Sequence, residues 1–189
     1  MNFSDLAEKR RSYRRFQEER AISSEKLREM INVAGFAPCA SNLQRLRFSI
    51  ITEEKERQAL FSGIGWAGYL TDWVGPEPGK RPSAYIVVHA PEEKESFTGI
   101  DVGIVASYIV LSASEAGIAS CMLLNFDRGL TDSVAPAPGY RQELVIALGY
   151  PAETVLLEKN NEEIRYWRDE NGVHHVPKLA LETLILKGE

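Results

Sequence analysis

Cysteine is nearly absent from this chain: Cys39 and Cys121 are the only two in 189 residues. Two thiols cannot build a disulfide framework, and Cys121 stands in an apolar run where a thiol behaves as a small hydrophobe, so a reducing, cytoplasmic setting is expected. A basic surplus is missing as well. The formal charge is −5, which argues against non-specific nucleic-acid binding as the main task. No uninterrupted apolar run reaches the roughly 20 residues of a membrane span: the most apolar stretch, 100–117, is broken by Gly103, Ser107, Ser112 and Ser114 and carries Asp101 and Glu115. The N-terminal MNFSDLAEKRRSYRRF has no apolar segment after its charges, so neither a signal peptide nor an anchor is expected. No G-x-S-x-G elbow, Walker loop or internal repeat occurs. His174 and His175 are adjacent, project to different faces of any regular element, and give no metal-ligand spacing.

What is present is enough apolar residue, 44% of the chain, to bury one sizeable core. Residues 1–154 read as a single domain, and 155–189, with too few apolar residues to fold alone, as an extension lying on that domain or on a partner subunit. Ile100–Gly117 carries apolar residues on every side and reads as a central helix buried all round, with Gly117 as a left-handed stop. The strand Ile118–Leu124 follows. The polar break Asn125-Phe126-Asp127 then leaves a backbone edge just outside a strand end, where α/β proteins bind ligands. Ser23 or Ser24 can cap a helix through Leu27, Met30, Ile31 and Ala34 that ends at Gly35. Leu46, Phe48 and Ile50 alternate as a strand, Glu53–Phe61 reads as a surface helix, and Ser83–Ala90 and Gln142–Tyr150 are core strands. Pro91–Ser96 is a charged loop, Asp127–Val134 a short helix, Glu158–Glu163 a polar stretch, Asn171-Gly172 a turn, and Leu179–Leu186 a last helix, with residues 63–82 and Tyr166-Trp167 as candidate lids.

Three segments carry candidate chemistry. Lys9-Arg10-Arg11-Ser12-Tyr13-Arg14-Arg15-Phe16 places five cations in eight residues of an acidic protein. Such a run is either a solvated face or, with Ser12 as a hydroxyl donor and Tyr13 and Phe16 as anchors, a clamp for a phosphate monoester, whose oxygens match the guanidinium fork. The loop Ala37-Pro38-Cys39-Ala40-Ser41-Asn42-Leu43-Gln44 is built of small residues that admit a flat ring, and Asn42 and Gln44 offer both donors and acceptors; an ordinary helix-to-strand loop is the alternative. Trp66, Tyr69 and Trp73 either wall an apolar pocket or cover the core. Gly63-Ile64-Gly65-Trp66-Ala67-Gly68 matches G-x-G-x-x-G, but it follows a helical pattern rather than a strand and runs into prolines, so the dinucleotide reading is rejected. A phosphate clamp, an amide-bearing loop and aromatic walls, with no evident protein nucleophile, point to a cofactor that carries the reactive chemistry.

The same segments, in order, carry a resemblance. Arg10-Arg11-Ser12-Tyr13-Arg14-Arg15-Phe16, Ala37–Gln44, Gly117-Ile118-Ala119-Ser120-Cys121-Met122, Ala147-Leu148-Gly149-Tyr150-Pro151 and the closing His175-Val176-Pro177-Lys178 resemble the nitroreductase family of FMN-dependent oxidoreductases. The resemblance implies an α+β fold, a mostly antiparallel sheet flanked by helices, in an intertwined homodimer with FMN at the subunit interface. It implies that Arg10, Arg11, Ser12 and Arg14 hold the phosphate and ribityl chain, with Lys178 reaching in from the tail. Pro38, Cys39, Ala40, Asn42 and Gln44 would approach the ring from the other subunit, and Met122, Leu123, Leu124 and Asn125 would run along it. The implied activity is transfer of a hydride from NAD(P)H through the flavin N5 to a nitroaromatic or quinone, in ping-pong fashion; a flavin carrier or sensor without turnover is the alternative. Two departures stand out: Arg45-Leu46 replaces a common Pro-Trp, and Leu179 follows Lys178 where a second cation is common.

Overall fold

Two runs of apolar residues form the centre of the molecule, and everything else is arranged on their two faces. In the computed structural model, which describes residues 2–93, 95–159 and 163–188, Ala84–Pro91 and Tyr140–Gly149 pair as antiparallel inner strands. Numbered in chain order, the strands are β1 (Arg47–Ile51), β2 (Ala84–Pro91), β3 (Ala119–Leu123) and β4 (Tyr140–Gly149). They form one antiparallel sheet in the order β1-β2-β4-β3, with a register shift at Val88/His89. Because side chains alternate along a strand, one face presents Ile86, Val88, Leu144 and Ile146, and the other Tyr85, Val87, Val145 and Ala147.

The helices are α1 (Phe3–Lys9), α2 (Ser24–Ala34), α3 (Glu54–Ser62), α4 (Thr98–Glu115), α5 (Arg128–Val134) and α6 (Leu181–Leu184). Ser23 caps α2 by accepting the Lys26 N–H, and the helix buries Leu27, Met30 and Ala34 against Val102, Val105 and Ile109 of α4. Helix α4 ends as its sequence dictates. Gly117 adopts φ +72, its N–H donates to Ser114, and the Ile118 N–H donates to Ala113 at 2.8 Å, a complete Schellman motif. The second face is covered by Phe16, Leu60, Ile64 and Trp66.

Several expectations need correction. Helix α4 is not buried all round: Ile100, Gly103 and Ser107 are exposed and Ile104 and Leu111 half-buried, a stripe at helical spacing that this chain leaves open. Apolar composition reports that a face wants cover, not which molecule supplies it. The last helix is one turn, 181–184, because Leu181, Leu184, Ile185 and Leu186 are all exposed and nothing holds a longer one together. The tail instead forms a small sheet of β5 (Val155–Lys159), β6 (Trp167–Arg168) and β7 (His174–Lys178), in the order β5-β7-β6. Its hairpin turns at Asn171-Gly172, where Gly172 takes φ +79 and Asp169 accepts the Asn171 and Val173 N–H groups. Residues 160–162 of the polar stretch and Lys94 of the charged loop lie outside the described residues.

Candidate functional site

The cationic segment leaves α1 extended and lies along the open edge of β3. Ser12 forms a parallel bridge with Ser120, the Tyr13 N–H donates to the Ser120 carbonyl at 3.0 Å, and the fully buried Phe16 bridges to Pro151. This places Arg10 and Arg14 beside the buried Cys121 thiol, where both oppose the upward push that burial gives its pKa. Burial also lowers the pKa of Arg10 and Arg11, yet a guanidinium stays charged. Among the described residues of this segment, Arg10 Nε and Nη2, Arg11 Nε and Arg14 Nε are buried without a hydrogen-bond partner. Each such orphan costs on the order of 1–3 kcal/mol. The segment is therefore unsatisfied as it stands, and an anionic acceptor relieves it.

Arg14 is engaged differently. Its Nη1 lies 3.0 Å from His174 Nε2, its guanidinium 4.7 Å from the Tyr166 ring centre, and its backbone N–H donates to Glu153. An arginine only donates, so His174 accepts at Nε2 and carries its proton on Nδ1. Burial, then the neighbouring Arg14 charge, press the His174 pKa down to about 4. Lys178 is exposed at the far end of β7, about 13 Å along the strand from His174.

The loop before β1 is held by its own polar groups. Ser41, Asn42 and Gln44 adopt φ of +48, +54 and +48, a region that costs a non-glycine residue about 1–2 kcal/mol. The strain is offset by the Ala40 N–H donating to Asp101 at 3.0 Å, the Gln44 N–H donating to Cys39 Sγ at 3.3 Å and the Gln44 amide donating to Asn42 at 3.1 Å. Pro38, Asn42 and Gln44 are exposed, Cys39 and Ala40 half-buried, and a cavity of about 180 Å³ opens beside Cys39, Gln44 and Asp101. Arg45, which stands where the family often has proline, pairs with Glu93 and Glu95, while Leu46 packs on the core.

At the other end of the site, Leu123 is buried, Met122 half-buried, and Leu124 and Asn125 emerge into solvent past β3. The Asn125 carbonyl accepts the Gly65 N–H at 2.9 Å, Ile64 bridges to Phe126, and a Cβ on Gly65 would fall 1.9 Å from Asn125 Nδ2. The glycines of 63–68 thus allow a loop to lie flat against the strand end, which is why the dinucleotide pattern is coincidental. Within this loop Trp66 is buried, whereas beyond it Tyr69 packs tilted against Tyr166, ring centres 4.9 Å apart, and Trp73 lies under the guanidinium of Arg168 at 4.6 Å. A cleft of about 540 Å³ runs between this loop and the tail.

The structure brings together Arg10, Arg11, Ser12 and the β3 edge that leads to Asn125, but not the loop 37–44. Residues 37–44 feed β1 and residues 122–125 end β3, and these strands are opposite edges of the sheet, three spacings or roughly 14 Å apart. Asp101, Glu153, Arg168 and His174 escaped the sequence reading as site residues. Only Asp101 left a legible signal: it falls on the buried stripe of α4 four residues before Val105, where an acid needs a partner.

Comparison with known proteins follows this geometry. The nitroreductase family profile matches residues 7–150. A Streptococcus pyogenes protein with a provisional assignment as an NAD(P)H nitroreductase is 28% identical over 185 residues, covering 81% of this chain and 92% of that protein. The iodotyrosine deiodinase of Thermotoga neapolitana is 26% identical over 176 residues, covering 85% and 94%. Among solved structures, an FMN-dependent nitroreductase from Clostridium difficile superposes with a TM-score of 0.62 at 25% identity, over 78% of this chain and 87% of that one. With three-quarters of its length matched by one profile and the same fold in solved members, the chain belongs to the nitroreductase family.

Proposed function

We propose that this protein is an FMN-dependent oxidoreductase that passes electrons from NAD(P)H to a small acceptor such as a nitroaromatic or quinone, in a site completed by two copies of the chain. The observation that carries this reading is the row of buried, unpartnered N–H groups on Arg10 and Arg11 beside Ser12: a terminal phosphate supplies charge and several acceptor oxygens where the chain has none. FMN, when bound, supplies the two-electron chemistry that the side chains lack.

The chain's own groups position it. Arg10, Arg11 and Ser12 hold the phosphate and the adjoining chain, and Met122, Leu123, Leu124 and Asn125 form the edge along which a flat ring lies. Backbone N–H groups at that strand end stabilise negative charge on the ring. Pro38, Cys39, Ala40, Asn42 and Gln44 reach this edge from a second copy, since within one chain they sit across the sheet. Lys178, exposed at the end of β7, adds a further cation for the phosphate from the tail. The open α4 stripe of Ile100, Ile104 and Leu111 gives that second copy an apolar face to cover. Residues 1–154 then constitute the cofactor domain and 155–189 an extension docked on it.

The test is an absorption spectrum of the protein supplied with FMN, before and after NADH or NADPH. A retained yellow chromophore that bleaches with reductant and recovers on adding acceptor supports the reading. A protein that stays yellow with either nucleotide is a flavin carrier, and one that retains no flavin is neither. The deiodinase relative makes a halogenated phenol an acceptor to assay beside nitroaromatics.

A further inference from the structure

One buried carboxylate ties the cofactor segment to the C-terminal sheet. Glu153 Oε1 accepts the backbone N–H groups of Arg14 and, at 3.1 Å, Arg15, while Oε2 accepts Arg168 Nη2 of β6 at 2.8 Å. Its side chain is 2% exposed. A charge so buried is tolerable only because its acceptor sites are matched by donors, and those donors come from elements that otherwise meet through side chains: Arg14 against Tyr166 and His174, and Arg15 and Arg168 both against the Trp73 ring system. Remove the carboxylate and Arg168 is left buried beside Arg14 and Arg15, whose charges already work against its own.

We propose that Glu153 is a positioning residue that couples docking of the C-terminal sheet to cofactor binding: it fixes the Arg10–Arg15 segment along β3, and through Arg168 it holds the tail over that segment. This rests on the reading of Arg10, Arg11 and Ser12 as the phosphate clamp. Coupling is reciprocal, so a ligand that orders the clamp also tightens the tail. The segment is held on β3 by the Ser12–Ser120 bridge and, past Arg14, by Glu153 together with the Ala152 N–H to the Arg15 carbonyl and the Phe16–Pro151 bridge; of these, Glu153 is the one that also reaches Arg168 of the tail, so its loss loosens Arg14 and the tail together and shifts the neighbouring Arg10 and Arg11, although neither touches Glu153.

The experiment compares full-length wild type, Glu153→Gln, Glu153→Asp, Arg168→Met and the Glu153→Gln/Arg168→Met double variant. Two readouts are used: FMN affinity by fluorescence quenching, and the rate of tryptic cleavage after the exposed Arg165, with and without FMN. In wild type, FMN slows the cut. In Glu153→Gln, affinity falls about tenfold or more, the size of a lost charge-assisted hydrogen bond, and FMN no longer protects; Glu153→Asp recovers part of both. Arg168→Met weakens FMN although it alters only the tail, and the double variant is no worse than the weaker single one, as for residues in one network. Unchanged affinity and protection in Glu153→Gln, or additive losses in the double variant, overturn the proposal. A wild type that takes up no FMN overturns the cofactor reading instead, and the coupling with it.

Discussion

Arg10 and Arg14 are four residues apart, and both are drawn inward, yet for different reasons. Arg10 keeps two buried N–H groups without acceptors; Arg14 keeps one, at Nε, but its Nη1 donates to His174 and its guanidinium lies on Tyr166. Arg10→Met is therefore expected to cost FMN affinity about 1.5–3 kcal/mol, read by flavin titration, with no fall in melting temperature. Arg14→Met should lower the melting temperature by loosening the tail. A common effect of the two would mean that both serve the same ligand. The adjacent histidines make a second, pH-dependent prediction. His174 titrates at about 4 in the folded chain against an ordinary 6.5, so between those values the unfolded chain binds a proton that the folded chain refuses. Its contribution is complete above pH 6.5 and is lost as pH falls through the window, by up to about 3 kcal/mol. His175 runs the other way. Hydrogen bonding to Glu158 and then to Asp169 raises its pKa, so its contribution is present below its ordinary pKa and fades as pH rises through the raised value. Melting temperature against pH should drop between 6.5 and 4 in wild type and stay flatter in His174→Gln; parallel curves would remove His174 from the explanation.

Elements were more legible than partners. The period-2 and period-3.6 patterns located β1, β2, β4, α2, α3 and α4 to within a residue or two, and Gly117 marked its helix end, because these features depend on local chemistry and on a core the chain builds for itself. In the tail the Asn171-Gly172 turn was legible, but the sheet was not: it is held by Glu153, Arg168 and His174, a network joining residues 14 and 174 that no local pattern announces. The same limit applies to the open stripe of α4. Ile104→Glu places a charge where a second copy is expected to sit, and sedimentation should report a monomer that has lost FMN; an unaltered dimer would move the interface elsewhere. Packing between β4 and the cationic segment gives a further check. A Cβ on Gly149 would come within 2.8 Å of the Phe16 Cβ, in a fully buried contact. Gly149→Ala should destabilise the fold by roughly 1–3 kcal/mol in a denaturant melt, and an unchanged midpoint would show that Phe16 can move aside.

At the scale of the whole molecule, the sheet order puts the two halves of the site on opposite edges. The cationic segment and the loop 37–44 were both readable as motifs, but their separation across four strands was not, because topology decides which edges a chain can bring together. On the proposed reading, one site takes Arg10 from one copy and Ala40 from the other. The decisive measurement is complementation. Arg10→Met and Ala40→Trp should each retain little FMN as pure dimers, and when the two are unfolded together and refolded, random pairing should restore flavin to about a quarter of the sites, those built from two intact halves. Recovery at that level is the predicted result; no recovery on mixing, with both variants folded and dimeric, would place clamp and loop in the same copy and contradict the shared site.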